Sequence, residues 1–171
     1  MTEVVTFTPN PAVDMWAEVD RVEPTHKMRT RGVRYDPGGG GVNVARVLHA
    51  LGDPALAVCL VGGPTASLFR DLAARAGLPV DTIAIAGMTR VSQVVRETTT
   101  GLEYRFVPEG PTLSAGECAA GLDALARHRP QWVVASGSLP PGAPDDLYAR
   151  VAALARANGA RVALDTSGAA L

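Results

Sequence analysis

The stretch PGGGGVNVARVLHALG, residues 37–52, decides how the chain is read. Before it, residues 15–36 mix apolar and charged side chains in partial alternation and carry a basic cluster of Lys27, Arg29, Arg31 and Arg34. That is the pattern of half-exposed strands, better suited to a flap than to a main sheet. Pro37 and four glycines then interrupt it. From Val42 the apolar period becomes helical: Val44, Val47, Leu48 and Leu51 fall on one face, and Gly52 is placed to end the helix. Four glycines at a helix start let the backbone approach a ligand closely, and the free N–H groups there favour an anion or polar oxygens. No Lys-Ser/Thr follows, so the run is not a P-loop. The residues before it read as flap, not as the first buried strand of a βαβ unit, which argues against a dinucleotide fingerprint.

Outward from this stretch, strands and helices alternate. EVVTFT (3–8) is a β-branched run that ends at Pro9-Asn10-Pro11, so it reads as a buried strand entering a loop. Residues 55–61 form an apolar strand. Leu68, Leu72 and Ala76 mark the stripe of the next helix, closed by Gly77. A strand over 80–86 follows. Residues 90–96 and 102–107 flank TTTG (98–101) as a hairpin. Ser114 and Glu117 form a capping-box signal for a helix running to about residue 129. WVVA (132–135) is a buried strand, and Pro144 with Asp145 and Asp146 starts a helix to about residue 158. RVALD (161–165) is the last strand, after which residues 166–171 begin a further segment. The expected body is α/β with a mainly parallel sheet sandwiched by helices. The half-exposed regions, 15–36 and 90–107, are expected to form a small second sheet.

Composition narrows the function classes. The chain has 171 residues, of which 47% are apolar and 19% charged, with a formal net charge of −1. That length predicts about one domain with a real core. The charge balance argues against nucleic acid as a partner. No run approaches the ~18 apolar residues of a membrane span, so no membrane association is expected. MTEVVTFTPNP lacks the basic start of a secretory signal. The two cysteines, Cys59 and Cys118, are far apart and form no CxxC pair, which fits a reducing, cytoplasmic setting. His26, His49 and His128 show no metal-ligand spacing. Lys27 is the one lysine among 16 cationic residues. An ammonium is a compact point charge that a planar guanidinium does not reproduce.

In a parallel sheet, ligands bind beyond the carboxyl ends of the strands. Asp14 follows the first strand, where a carboxylate can accept hydrogen bonds from two sugar hydroxyls, though a turn or cap would also employ it. Arg90 and Arg105 lie on the two arms of the hairpin, and their forked donors match phosphate oxygens. Either one alone equally fits a solvated strand face. Ser138 sits in SGSLPPG (136–142), a rigid turn after a buried strand. Asp165 is either a strand-end ligand contact or a cap.

Together, TPNPAVD (8–14), PGGGGVNVAR (37–46), VGG (61–63), Thr89-Arg90, SGSLPPG (136–142) and DTSG (165–168) resemble the PfkB family of carbohydrate kinases, which share the ribokinase-like fold. The glycine run with VNVAR, and EYRFV (103–107), are most similar to the family's bacterial minor-type 6-phosphofructokinases. The 1-phosphofructokinases and tagatose-6-phosphate kinases, the alternative within the family, usually carry a lysine in the glycine run.

The resemblance implies transfer of the γ-phosphate of ATP, with Mg2+, to fructose 6-phosphate. It implies that Asp14, Gly38, Gly39 and Asn43 hold the sugar, that Arg90 and Arg105 hold its phosphate with Ser138 nearby, and that Lys27 faces the transferred phosphate of ATP. It implies a homodimer joined through the lid strands. Family members also carry a Gly-Ala-Gly-Asp motif near their end, with the aspartate as catalytic base. That motif does not occur in residues 1–171. The chain is therefore expected to be the N-terminal part of a kinase domain, with no catalytic base and no adenine pocket of its own, and inactive by itself. A non-catalytic sugar-phosphate-binding or dimerisation module is the alternative of another class.

Overall fold

The computed structural model describes residues 3–53 and 55–168. Strand β1 (Val4–Thr8) leads into two longer strands, β2 (Ala12–Val19) and β3 (Arg31–Gly38), and then into helix α1 (Gly40–Ala50). Next come β4 (Ala55–Gly62), α2 (Pro64–Arg75) and β5 (Val80–Ile85). The hairpin of β6 (Arg90–Glu97) and β7 (Glu103–Phe106) follows. The chain then runs through α3 (Ala115–His128), β8 (Trp132–Ser136), α4 (Leu147–Ala157) and β9 (Arg161–Asp165). Of the segment expected after β9, residues 169–171 lie outside the described part. Thr166 is tied back by its hydroxyl, which donates to the Gly137 carbonyl at 3.1 Å.

Two sheets result. The main sheet is wholly parallel, in the order β5-β4-β1-β8-β9. The second sheet, the lid, has the order β3-β2-β6-β7, with antiparallel outer pairs and a parallel central pair, β2 and β6. The expected α/β body and small second sheet are both present. Among the described residues no helix is long and apolar enough to cross a membrane.

Each face of the main sheet has its own core, and β4 shows why. Its alternate residues Ala55, Ala57, Cys59 and Val61 pack with Val42 and Ala45 of α1 and Ala66, Phe69 and Ala73 of α2. Its other set, Val58 and Leu60, packs with Cys118, Ala124 and Leu125 of α3 and Tyr148 and Val151 of α4. A strand buried on both faces has no polar alternation to show, and ALAVCLVG shows none.

The helix stripes differ from the expected ones. In α1 the buried positions are Gly41, Val42 and Ala45, while Val47 and Leu51 are 59% and 72% exposed. In α2 they are Ala66, Phe69 and Ala73, and Leu68 is exposed. Small residues let both helices lie close to the small-residue face of β4. Phe69 fills what remains, and full burial of such a side chain contributes about 1.5–3 kcal/mol. Of the expected stripes, Leu48 and Leu72 pack partly buried against this core, while Val47, Leu51 and Leu68 turn outward.

Helix ends follow local chemistry more closely. Ser114 Oγ accepts from the Glu117 N–H at 3.2 Å, and the Glu117 carboxylate accepts from the Ser114 N–H at 2.7 Å, a complete capping box. Gly52, at φ +89°, ends α1 in the left-handed region, as expected. The glycine run is not the break that the sequence suggests. Pro37 and Gly38 still belong to β3, Gly40 already belongs to α1, and Gly39 alone, at φ +118°, makes the junction.

Candidate functional site

The chain leaves β1 and, through the lid and α1, re-enters the main sheet at β4 on one side. After the hairpin and α3 it enters at β8 on the other side. The order therefore reverses between β1 and β8, and the carboxyl ends of these strands flank the crevice where open α/β sheets bind ligands. The glycine run crosses this point in close contact with it. A Cβ on Gly40 would run into the Ser136 hydroxyl, and one on Gly41 into the Thr8 hydroxyl. A Cβ on Gly39 would come within 2.8 Å of the Thr8 methyl group. A Cβ on Gly38 would fall on the Asp14 carboxylate. All four glycines are thus required by the chain's own packing, a reason absent from the sequence reading.

Strand register assembles the rest. Asp14 of β2 lies opposite Asp36 of β3 on one side and Ser92 of β6 on the other. Two residues along, Trp16 lies opposite Arg34 and Val94, and Val94 lies opposite Arg105 of β7. Side chains two apart share a face, so these rows line one side of the lid. They enclose a cavity of about 300 Å³ whose wall includes Asp14, Trp16, Gly39, Arg46, Arg90 and Arg105. The Arg34 guanidinium stacks 4.4 Å from the Trp16 ring centroid. Asp36 pairs with Arg34 at 3.7 Å and Arg46 at 3.6 Å.

Asp14 is half-buried at the base of this cavity. Burial pushes its carboxyl above the ordinary range, the positive charges of Arg90, Arg105 and Arg46 pull it back, and the like charge of Asp36 adds to the rise. The arginines act on it through space. Among the described residues none forms an ion pair with it within 4.0 Å.

Arg90 is held differently. Its Nη2 donates to the Asn10 carbonyl at 2.9 Å and its Nη1 to the Pro108 carbonyl at 2.8 Å. Its Nε is buried without a partner. Burial lowers its pKa, opposed by Asp14. Five N–H donors serve a guanidinium, so two backbone bonds leave donors over. Arg90 also borders a second cavity, of about 600 Å³, with Ser138, Pro140, Asp145 and Ser167. Beneath Ser138 the turn is braced: Ser136 Oγ donates to Asp165 at 2.9 Å, and the Tyr148 hydroxyl donates to the Gly137 carbonyl at 2.8 Å.

Asp14, Gly39, Arg90 and Arg105 thus share one cavity wall, with Gly38 directly behind the Asp14 carboxylate. Ser138 is in the adjoining cavity, which shares Arg90. Asn43 is exposed in the first turns of α1, 3.5 Å from Arg46 Nη1. Lys27 is not brought to them. It is exposed in the β2–β3 loop at the opposite end of the lid. Val19, at that end, is five steps along the strand from Asp14, about 17 Å at ~3.3 Å per residue.

Sequence reasoning missed Arg34, Asp36, Arg46, Trp16 and Ser92. For Trp16 the signal was there, two residues from Asp14 on a strand. Ser92 needed the register of β2 with β6, and Arg46 the packing of α1 beside the lid. Among the described residues no group of three or more His, Cys, Asp or Glu side chains is placed to hold a metal ion.

Residues 6–171 match the model of the pfkB family carbohydrate kinases. The chain is 48% identical over 170 residues to an ATP-dependent 6-phosphofructokinase isozyme 2 of Mycobacterium tuberculosis, covering 98% of this chain and 50% of that protein. It is 38% identical over 180 residues to a 1-phosphofructokinase of Xanthomonas campestris, covering 99% of this chain and 54% of that one. The crystal structure of Escherichia coli phosphofructokinase-2 in complex with fructose-6-phosphate superposes with a TM-score of 0.93 at 32% identity, over 99% of this chain and 56% of that one. The chain spans about half the length of the curated relatives it matches.

Proposed function

The chain belongs to the pfkB family of carbohydrate kinases and has its ribokinase-like fold, and from that premise we propose that residues 1–171 are the sugar-binding N-terminal part of an ATP-dependent 6-phosphofructokinase. The observation that carries the proposal is the cavity in which the Asp14 carboxylate is ringed at a distance by Arg90, Arg105 and Arg46, while Asp36 beside it is already paired with Arg34 and Arg46. A ligand that offers hydroxyls to the carboxylate and an anion to the guanidinium groups satisfies both. A phosphosugar is such a ligand.

In this reading Asp14 accepts hydrogen bonds from sugar hydroxyls, and Gly38 and Gly39 bring the backbone beside them. Asn43 contributes its amide. Arg105 and the free donors of Arg90 grip the phosphate, with Ser138 alongside. ATP supplies the transferred phosphoryl group, and Mg2+ enters with the nucleotide. Among the described residues no cluster of His, Cys, Asp or Glu is placed to cage the ion.

Lys27 is remote from the cavity of its own chain, so its role at the ATP phosphate requires the β2–β3 loop to reach a second copy. Exposed Val33, Tyr35 and Phe106 on the lid support a homodimer joined there. Mixing Asp14→Asn subunits with Lys27→Ala subunits of the complete gene product should then restore activity that neither variant has alone.

The test of the site is kinetic. In the complete gene product that carries this chain, Arg105→Ala should raise KM for fructose 6-phosphate strongly and KM for ATP little. Equal weakening for both substrates overturns the assignment. Fructose 1-phosphate and tagatose 6-phosphate, run in parallel, identify the preferred phosphosugar.

A further inference from the structure

Arg90 and Ser138 stand on different elements: Arg90 opens β6, and Ser138 follows β8. One residue lies between them and meets both, Arg90 through its backbone carbonyl and Ser138 through its side chain. Asn10, in the short β1–β2 loop, is only 3% exposed. Its Nδ2 donates to the Glu109 carbonyl at 2.8 Å and makes a longer contact, 3.4 Å, with Ser138 Oγ. Its backbone carbonyl is the one that accepts from Arg90. Arg90 in turn donates to Pro108, the neighbour of Glu109. Asn10, Glu109, Pro108 and Arg90 therefore close a ring of contacts across two loops and the start of β6.

The amide orientation is specific. Turned over, its oxygen would face the Glu109 carbonyl, acceptor against acceptor. In the orientation adopted, Oδ1 is buried with no partner. A buried unpaired acceptor is costly, so the two donor contacts outweigh that cost here. Gly110, at φ +102°, closes the remaining side, since a Cβ there would fall on the Asn10 carboxamide.

We propose that Asn10 is a positioning residue that holds Arg90 and Ser138 in one fixed geometry for the substrate's phosphate. This rests on the reading of Arg90 as a phosphate contact. It assigns Asn10 no contact with substrate: the residue acts through its two neighbours, which would otherwise move independently with their own loops.

The experiment is a coupling cycle in the complete gene product, with Asn10→Ala, Asn10→Ser, Arg90→Ala and the double variant Asn10→Ala/Arg90→Ala. Asn10→Ala should raise KM for fructose 6-phosphate about three- to tenfold, the size expected from one lost buried hydrogen-bond partner. KM for ATP should hold. The double variant should be little worse than Arg90→Ala alone, because the group that Asn10 positions is already gone. If Asn10→Ala does not fold, Asn10→Ser carries the same comparison with the cavity partly filled. A residue that merely stiffens the loop would lower Tm and leave KM unchanged, or its effect would add in full to that of Arg90→Ala. Either result overturns the positioning role while the site stands. If Arg90→Ala itself leaves KM for fructose 6-phosphate unchanged, the phosphate site falls and Asn10 with it.

Discussion

The two ends of the lid each carry a carboxylate, and the two are treated in opposite ways. At the distal end Glu97, 4% exposed, accepts from Thr100 Oγ1 at 2.8 Å, from the Val22 N–H at 3.1 Å and from the Tyr104 hydroxyl at 3.2 Å. Those bonds, Thr100 first and then Val22, hold its pKa below the ordinary range. Its neighbours finish the same job: Thr99 Oγ1 donates to the Asp20 carbonyl at 2.6 Å, and Arg31 pairs with Asp20 at 2.6 Å. At the proximal end Asp14 is surrounded by cations that stop short of it, faces Asp36 across the ladder, and has its pKa raised by burial. Like charges directly opposite are destabilising in a sheet. A carboxylate whose donors all come from its own chain is a structural staple. A buried one whose donors are held at a distance keeps its lone pairs for a ligand.

The comparison breaks most readily at Asp14. Asp14→Asn in the complete gene product should cut turnover of the phosphosugar on the order of a hundredfold or more, since hydrogen bonds to a charged group contribute ~1.5–3 kcal/mol each and more than one is lost. Its Tm should stay level or rise, because the unfavourable facing of Asp14 and Asp36 is relieved. A drop in Tm with normal sugar binding would place Asp14 in the same class as Glu97.

Gly38→Ala tests the same corner from behind. The added methyl group has to displace the Asp14 carboxylate, so stability should fall by about 1–3 kcal/mol, as overpacking does, together with sugar affinity. Equilibrium urea denaturation and sugar titration, run side by side, check both.

Glu97→Gln should do the reverse of Asp14→Asn. It should lower Tm by several degrees, leave KM for the sugar within about twofold, and loosen the β2–β3 loop, visible as faster amide exchange at Val22. Unchanged exchange there would remove the staple role.

The smallest and sharpest effect is in pH. For Asp14 the folded-state pKa is raised, so the native state binds the proton more tightly than the unfolded chain. That carboxyl therefore costs stability as pH rises from the ordinary aspartate value through the raised one, and Asp14→Asn should remove the cost. For Glu97 the folded pKa is lowered. Its contribution is present above the ordinary glutamate value and disappears as pH falls through the lowered one. Stability differences from wild type, measured by urea denaturation between about pH 3 and pH 7, should therefore slope in opposite directions for Asp14→Asn and Glu97→Gln. Parallel slopes would erase the distinction between the two ends.

Most element boundaries were legible because their causes are local. The capping box at Ser114 and Glu117, the helix end at Gly52, the hairpin around TTTG and the apolar runs of β1, β4 and β8 each depend on a few neighbouring residues. The motif order from Asp14 to Ser138 also pointed to the right family. The helix stripes were legible only in part, at Leu48 and Leu72, because which face is buried depends on the partner: the small-residue face of β4 admits Ala45, Ala66 and Ala73 and turns Val47, Leu51 and Leu68 outward.

By itself, then, the sequence determined an alternating α/β chain with a separate lid and a short set of polar candidates. The tertiary structure decided which candidates meet. Nothing in the spacing of Asp14, Asp36, Arg46, Arg90 and Arg105 shows that β2 lies between β3 and β6, or that Lys27 lies at the far end of the lid from all of them. Register and burial are properties of neighbours distant in sequence, and the energy of a charge is set by those neighbours. That is why two acidic residues of one sheet, Asp14 and Glu97, end as a candidate ligand contact and a staple.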